Sequence, residues 1–189
     1  INSKRLYEDD AYCSHIKKLE AENFYRWNLS LYRSDAGLHE STPWYATNYD
    51  DNNWQTVNMF SQSWGNNGLN PIGGSHWLRQ DIEIPQSWNG KEATLRLGCI
   101  VDADSVYVNG VFVGTTSYQY PPRIYRIPAG ILKSGKNNIT VRIISNGGQP
   151  GFVQEKPYKI ICDNEEINLK QKWKYRLGAP NATRSGDDV

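Results

Sequence analysis

Two neighbouring residues, Ser75 and His76, are of the types that form a nucleophile and its base in acyl transfer. Adjacent residues of an extended chain point to opposite faces, however, so the two side chains are not expected to meet. The sequence also contains no Gly-x-Ser-x-Gly elbow and no Gly-Asp-Ser, Gly-Gln-Ser or Asp-x-x-His sequence. We therefore assign no catalytic residue, and a small esterase that depends on Ser75 is the third of three functional hypotheses.

Carboxylates that lie close in sequence are the other candidates for chemistry. Two compact pairs of Asp residues in the strand-rich region are Asp50 with Asp51 and Asp102 with Asp104. A glycosidase needs two carboxylates, but Asp is common in turns because its side chain bonds to the nearby backbone. The turn interpretation is favoured for both pairs.

No cofactor is expected and no metal site is assigned, with a structural calcium ion left as an open alternative. A calcium loop of the type D-x-D-x-D-G is missing from the sequence. The three cysteines, Cys13, Cys99 and Cys162, are widely spaced and lack the C-x-x-C and histidine pattern of zinc sites.

Aromatic residues are the strongest compositional signal, with seven Trp, twelve Tyr and four Phe in 189 residues. Flat amphipathic rings next to Arg, Asp or Asn suit a sugar-binding surface, and they suit a packed core equally well. Trp77 and Arg79 are expected to face away from Leu78 and Ile82 on one strand. The candidate contacts with sugar or with a partner domain are Trp64, Trp77, Arg79, Asp102, Asp104, Tyr118 and Arg123. Among these, Asp102, Asp104 and Arg123 are assigned to the partner domain.

Charge and hydropathy exclude two classes of partner. The formal net charge is +1 with both signs interspersed, so nucleic-acid binding is not expected. No apolar run approaches the roughly 18 residues that a membrane helix needs. Because the chain begins with Ile1 and ends in a polar stretch, we expect it to be a piece of a longer protein.

The elements that must position these residues are one helix and a series of short strands. Apolar residues at three- and four-residue intervals predict a helix over 7–33, and Gly37 and Pro43 predict a linker over 34–43. Alternating strands follow, with a hairpin "SVYVNGVFV" whose Asn109-Gly110 turn is of type I′. Strands at this spacing without helices between them predict a mainly β, antiparallel sandwich or jelly roll over 44–163. Residues 1–43 and 164–189 are expected to connect to a neighbouring domain.

Four sequence segments, in the same order along the chain, resemble a known family. "YDDNNWQTV", "HWLRQDIEIPQSWNGKEATLRLGCIVDADSVYVNGVFVG", "RIYRIPAGILKSGKNNITVRI" and "INLKQKWKYRLGA" together resemble the galactose-binding-like jelly-roll domain of sialate O-acetylesterases. That domain is similar to the sugar-binding domain of β-galactosidase-type glycoside hydrolases. The resemblance implies a sandwich attached to an SGNH-type hydrolase domain that removes acetyl groups from sugars, in a periplasmic or extracellular protein.

Two hypotheses from different classes follow. The first is a non-catalytic accessory domain of a sialate-O-acetylesterase-like enzyme, with the SGNH domain of the same parent chain as its partner. The second is an independent carbohydrate-binding module of a polysaccharide-degrading enzyme. The first predicts no ester hydrolysis by this chain alone, and the second predicts saturable sugar binding.

Overall fold

The computed structural model describes residues 10–61 and 64–181. Two helices come first, α1 (Asp10–Ser34) and α2 (Ala36–His39). The strands are β1 (Gln55–Val57), β2 (Gly74–Ile84), β3 (Ala93–Leu97), β4 (Ile100–Val101), β5 (Ala103–Val108), β6 (Val111–Thr116), β7 (Ile124–Ile127), β8 (Gly135–Ser145), β9 (Gly151–Phe152), β10 (Tyr158–Cys162), β11 (Glu165–Asn168) and β12 (Trp173–Pro180). The predicted mainly β sandwich with an N-terminal helix is confirmed. Neither described helix combines the length and the apolar character needed to cross a membrane.

The strands form two principal antiparallel sheets. The large sheet has the order β1-β12-β2-β8-β5-β6, and the small sheet has the order β11-β10-β3-β7. Strands β4 and β9 form a separate pair. Both β11 and β12 lie within the range expected to return to a neighbouring domain, yet β12 lies inside the large sheet between β1 and β2.

The core lies between the two sheets. It is built from alternate residues of each strand, as the sequence pattern predicts: Leu78, Ile82 and Val141 from the large sheet and Leu95 and Ile160 from the small one are buried. Burial of these branched and aromatic side chains is the main driving force for joining the sheets.

The β5–β6 hairpin has the predicted turn. Asn109 and Gly110 have φ angles of +48° and +78°, as a type I′ turn requires. In the return strand, Val111 is 46% and Phe112 53% exposed, so neither of these neighbours continues the buried face of the hairpin. Strand β6 is the edge of the large sheet, and a register shift between Val106 and Tyr107 changes which residues face the core.

The outer face of the large sheet is covered by the chain between α1 and β1. Trp44 and Trp54 from this segment pack with Trp77 of β2, at ring-centroid distances of 5.0 Å (Trp44–Trp54) and 5.8 Å (Trp44–Trp77). Asp35 and Gly37, which lie in the predicted linker, are fully or largely buried there. The predicted linker therefore lies against the sandwich as part of its outer layer.

Helix α1 is attached mainly through its C-terminal half. Leu31 is its buried residue, and Trp27 Nε1 donates a hydrogen bond to Asn181 Oδ1 at 2.9 Å. Five of its large apolar side chains are exposed: Tyr12, Leu19, Phe24, Tyr25 and Tyr32. The predicted helix of 7–33 is confirmed from residue 10, and residues 7–9 lie outside the described part of the chain.

Candidate functional site

A polar cleft of about 540 Å³ opens on the outer side of the large sheet. It lies where the chain before β1, the β5–β6 turn and the beginning of β8 approach strand β2. Its volume is in the range of pockets that hold small molecules, about 300–1,000 Å³. The lining residues are Thr47, Tyr49, Asp51, Arg79, Asp81, Asn109, Lys133, Lys136, Asn137 and Asn138.

Arg79 forms the buried floor of this cleft. Its Nε donates to Asp51 Oδ2 at 2.8 Å, and its guanidinium also donates to Thr140 Oγ1 at 3.1 Å and to the carbonyl oxygen of Trp44. Lys174 adds a second cation to the Asp51 carboxylate. The side chain of Arg79 is thus tied to the segment that covers the sheet, and it fixes that segment in place.

The Asp51 carboxylate is held in its ionised form. Burial acts to raise the pKa of Asp51, but hydrogen bonds and charges from Lys174 and Arg79 outweigh it and leave the pKa below its ordinary value. A general acid needs the opposite shift, so that it carries a proton near neutral pH. Asp51 therefore acts as a structural anion in the cleft.

The amide side chains of the cleft wall mainly bond to one another and to the backbone. Asn109 Nδ2 donates to Asn137 Oδ1 at 2.7 Å, and Asn137 Nδ2 donates to the Lys133 carbonyl oxygen at 2.6 Å. Exposed Lys136 pairs with Asp81 at 2.9 Å at the rim. The wall is thus rigid, and its rim presents charged and hydroxyl groups to solvent. Sequence reasoning missed Lys133, Lys136 and Asn137, although "KSGKNN" was a signal for a basic, amide-rich turn.

Ser75 and His76 do not form a nucleophile–base pair in the structure. His76 is buried between strands, with Nδ1 2.9 Å from the Tyr175 hydroxyl and Nε2 3.0 Å from the Ile72 carbonyl oxygen. The carbonyl can only accept, so Nε2 carries the proton and Nδ1 accepts from Tyr175. Burial lowers the pKa of His76 to about 4. The Ser75 hydroxyl is buried on the opposite face, without a hydrogen-bond partner among the described residues.

Trp64 and Trp77 are not available to stack on a sugar, which corrects the prediction from sequence. Trp77 does face away from Leu78, but that face is covered, and its Nε1 donates to Asp35 Oδ1 at 2.9 Å. Trp64 packs edge-on against His76 and donates to the Asn70 carbonyl oxygen at 2.6 Å. Arg79 is buried for the same reason as Trp77. The signal for this cover was present in the sequence as the aromatic-rich stretch "WYATNYDDNNW".

Asp104 and Arg123 form a fully buried ion pair. Arg123 Nε donates to Asp104 Oδ1 at 2.6 Å, and its other nitrogens donate to carbonyl oxygens that include those of Gln119, Pro121 and Asp102. Burial raises the pKa of Asp104, against the influence of Tyr125 and Arg123. Both side chains are too deep to contact another domain, so this part of the prediction is corrected. The pair instead fixes the loop between β6 and β7.

Asp102 and Tyr118 are the predicted site residues that keep access to solvent. Tyr118 is 57% exposed in the loop after β6. Asp102 is half-buried and accepts a hydrogen bond from Ser145 Oγ at 2.9 Å. Asp102 also borders a small depression with Phe24 and Trp27 of α1. The structure therefore separates the predicted site residues into several places rather than joining them in one site.

Side chains of the types that ligate metals do not cluster in the part of the chain that the structure describes. No group of three or more His, Cys, Asp or Glu side chains that could hold a metal ion occurs in residues 10–61 and 64–181. Within the same part of the chain, Cys13, Cys99 and Cys162 form no disulfide bond.

Solved structures of bacterial β-glucuronidases are similar to part of this chain. Bacteroides uniformis β-glucuronidase 2 matches with a TM-score of 0.50 and 19% identity, over 72% of this chain and 16% of that chain. The Ruminococcus gnavus enzyme matches with a TM-score of 0.38 and 16% identity, over 64% of this chain and 22% of that one. The Bifidobacterium dentium enzyme matches with a TM-score of 0.37 and 23% identity, over 42% and 13%. No family model and no curated protein matches the chain.

At these identities the similarity concerns the fold alone. The fold comparison depends on the Bacteroides uniformis structure, because the other two have TM-scores below 0.5. The jelly-roll-like β-sandwich of this chain corresponds to part of a much larger glycoside hydrolase. The chain spans less than a quarter of the length of each of these enzymes.

Proposed function

We propose that this chain is a non-catalytic β-sandwich domain that serves a larger carbohydrate-active hydrolase. The observation that carries the proposal is the environment of Ser75 and His76, the pair best suited by residue type to acyl transfer. Both ring nitrogens of His76 are engaged by Tyr175 and Ile72, and the Ser75 hydroxyl is buried on the other face. A nucleophile must reach both its base and its substrate, and Ser75 reaches neither.

The carbohydrate context is supported by the fold. β-Glucuronidases contain a segment of the same architecture, and it makes up a small part of their length. A fold by itself does not determine a function, so sugar binding has to be inferred from the residues of a site. The polar cleft above Arg79 is concave and bordered by Tyr49, Lys133 and Lys136, which are groups that bind sugar hydroxyls.

The finer proposal concerns the parent enzyme. We propose a sialate-O-acetylesterase-like hydrolase, in which an SGNH-type domain of the same longer chain removes acetyl groups from sugars. The resemblance on which this rests is carried by the sequence "WKYRLGA", which forms most of β12 between β1 and β2 of the large sheet. The exposed aromatic side chains of α1 are the surface on which such a domain would pack. A periplasmic or extracellular location belongs to the same proposal.

The test compares this chain with the longer protein that contains it. Both are assayed on 4-nitrophenyl acetate, an O-acetylated sialic acid and 4-nitrophenyl β-glucuronide. Activity on the acetyl esters in the longer protein alone supports both parts of the proposal. Activity of the longer protein on the glucuronide alone keeps the accessory role and refutes the esterase parent. Ester turnover by this chain that is abolished by Ser75→Ala refutes the accessory role.

An independent carbohydrate-binding module is the second candidate, and the open cleft favours it. This function requires saturable binding of a neutral sugar by the chain alone. Because Trp64 and Trp77 are buried, the side chains to change are exposed Tyr118 and the cleft residues Lys133 and Lys136. Loss of binding in these variants without loss of folding would establish this function. Absence of binding at millimolar sugar concentrations would refute the independent module, and the accessory role would be the remaining hypothesis.

A further inference from the structure

We propose that a second pocket, beside the small sheet, binds the carboxylate of an acidic sugar. The pocket has a volume of about 210 Å³ and lies where the end of β3, the β6–β7 loop and the segment before β10 meet. Its principal lining residues are Arg96, Gly98, Tyr120, Pro122, Lys156 and Pro157. Pockets for drug-sized ligands start at about 300 Å³, so this one suits a single sugar residue. The proposal rests on the carbohydrate context proposed above.

One guanidinium N–H of the pocket wall lacks a hydrogen-bond partner. Arg96 Nε is buried and has no hydrogen-bond partner among the described residues. Arginine stays charged at any ordinary pH, and leaving a buried donor of a charged group unpaired costs free energy. An oxyanion in the pocket would supply the missing acceptor through a charge-assisted hydrogen bond.

The charges around Arg96 favour an anion. Within residues 10–61 and 64–181, the ion pairs involve neither Arg96 nor Lys156, and none of the pocket-lining residues is acidic. The third cation at the wall, Arg123, is already neutralised by Asp104 at 2.6 Å. Two positive charges that form no ion pair with a described residue therefore border this pocket, whereas Asp51 and Asp81 offset cations of the polar cleft.

An aromatic ring at the rim indicates a sugar rather than a simple ion. Tyr120 is 76% exposed, and it lines the pocket together with Pro122 and Pro157. Its backbone is nevertheless anchored, because Cys99 Sγ donates to the Tyr120 carbonyl oxygen at 3.5 Å and Arg123 holds the neighbouring Pro121 carbonyl oxygen at 2.8 Å. An exposed ring on an anchored stretch of backbone suits stacking against the apolar face of a sugar.

Gly98 keeps the wall of the pocket open. Its φ is +51°, and a Cβ at this position would lie 2.6 Å from Lys156 Cβ and 2.6 Å from Tyr158 Cζ. Any larger residue would push Lys156 away from its present place. The pocket thus depends on a glycine next to the proposed charged contact.

The test uses two sugars that differ at one carbon. The ¹⁵N-labelled chain is titrated with methyl β-glucuronide, which carries a carboxylate at C6, and with methyl β-glucoside, which carries a hydroxyl there. We expect the glucuronide to bind at least tenfold more tightly and to shift backbone resonances around Arg96, Tyr120 and Lys156. Equal binding of the two sugars, or no binding of either, would overturn the proposal.

Variants locate the site. Arg96→Gln and Lys156→Gln are each expected to weaken glucuronide binding at least tenfold. The matched control is Arg126→Gln, since Arg126 lies in the adjacent strand β7 and already pairs with Glu92. The control is expected to bind as the unchanged chain does, and equal weakening by all three variants would show a non-specific charge effect and refute the site.

Inorganic phosphate separates a sugar site from a general anion site. Phosphate that competes as tightly as the glucuronide, with Tyr120→Ala having no effect on glucuronide binding, would refute the sugar part of the proposal. Failure of this site can be distinguished from failure of the proposed accessory role, because the accessory role is refuted by ester turnover by this chain and not by sugar binding. Glucuronide binding together with ester turnover by this chain would support the proposed sugar-binding pocket and refute the accessory role.

Discussion

Asp35 Oδ2 accepts a hydrogen bond from Arg142 Nε at 2.6 Å, although 107 residues separate the two side chains along the sequence. Asp35 follows α1 directly, and Arg142 lies in β8 at the centre of the large sheet. The second oxygen of Asp35 accepts from Trp77 Nε1 and from the Gly37 backbone N–H, each at 2.9 Å. One carboxylate thus caps α2 and joins the covering segment to the sheet.

Removal of the Asp35 carboxylate is expected to destabilise the fold strongly. Asp35→Ala leaves the buried Arg142 guanidinium and the Trp77 N–H without this acceptor, and breaking a buried pair in this way costs about 3–5 kcal/mol. The free energy of unfolding, measured by urea denaturation, gives the effect. Asp35→Asn keeps an oxygen acceptor and is expected to lose less.

The matched control for that experiment is an exposed ion pair. Glu92 and Arg126 form one on the small sheet, with side chains 51% and 69% exposed. Solvent screens such a pair, so Glu92→Ala is expected to change the free energy of unfolding little. Similar losses in Asp35→Ala and Glu92→Ala would contradict the role assigned to Asp35.

Gly37 is expected to tolerate no side chain. A Cβ there would lie 2.4 Å from Trp77 Cε2, inside the packed indole. Gly37→Ala should therefore cost about 1–3 kcal/mol through overpacking. The control is Gly65→Ala, because a Cβ at Gly65 meets no atom within 4 Å. We expect that variant to unfold at a urea concentration close to that of the unchanged chain, and a larger loss than for Gly37→Ala would refute the packing argument.

The buried His76 is expected to make stability depend on pH between about 4 and 6.5. Burial lowers the pKa of His76 to about 4 in the folded state, from the ordinary histidine value of 6.5. Between these values the unfolded chain binds the extra proton, so stability is full above pH 6.5 and falls as the pH is lowered towards 4. The loss approaches about 3 kcal/mol at the scale of roughly 1.4 kcal/mol per pKa unit.

The variant His76→Gln carries the same carboxylates and cannot titrate at this position. Urea denaturation of both proteins at pH 7, 6, 5 and 4.5 therefore isolates the histidine as the difference between two curves. We expect the curve of the variant to be flatter over this range. Parallel curves would mean that His76 is accessible to protons in the folded state.

Ser75→Ala is expected to leave stability unchanged or to increase it by up to about 1 kcal/mol, because the buried Ser75 hydroxyl lacks a hydrogen-bond partner among the described residues. Ser145→Ala is the control, since the Ser145 hydroxyl is also buried but donates to Asp102 Oδ2 at 2.9 Å. Loss of this hydrogen bond in Ser145→Ala should lower the free energy of unfolding by about 1 kcal/mol. A destabilised Ser75→Ala would show that the hydroxyl has an essential polar contact.

Local signals in the sequence were enough for the strands and for the hairpin. Leu78 and Ile82 on β2, Leu95 on β3 and Val141 on β8 alternate with their neighbours, and the period of two requires one face of each strand to be buried. The position of β6 was not predictable in the same way. Whether a strand lies at an edge depends on the order of strands in the sheet, and that order involves contacts between distant parts of the chain.

The candidate site was harder to predict for a related reason. The sequence pattern correctly placed Trp77 on the face opposite Leu78. It did not show that residues 35–54 would cover that face, since this requires Asp35 to meet Arg142 and Asp51 to meet Arg79. Burial of a charged side chain is tolerated when a partner is present, and the partner is visible only in three dimensions.

The sequence by itself determined the mainly β class, the type I′ turn at Asn109-Gly110 and which residues of β2, β3 and β8 face the core, because these follow from the period and the turn chemistry of short segments. Only the tertiary structure decided which aromatic and charged residues are accessible. It buried Trp77 and paired Arg123 with Asp104, and it left Tyr120 exposed beside an unpaired Arg96. Exposure depends on which segments fold over a surface, and that is settled by packing of the whole chain.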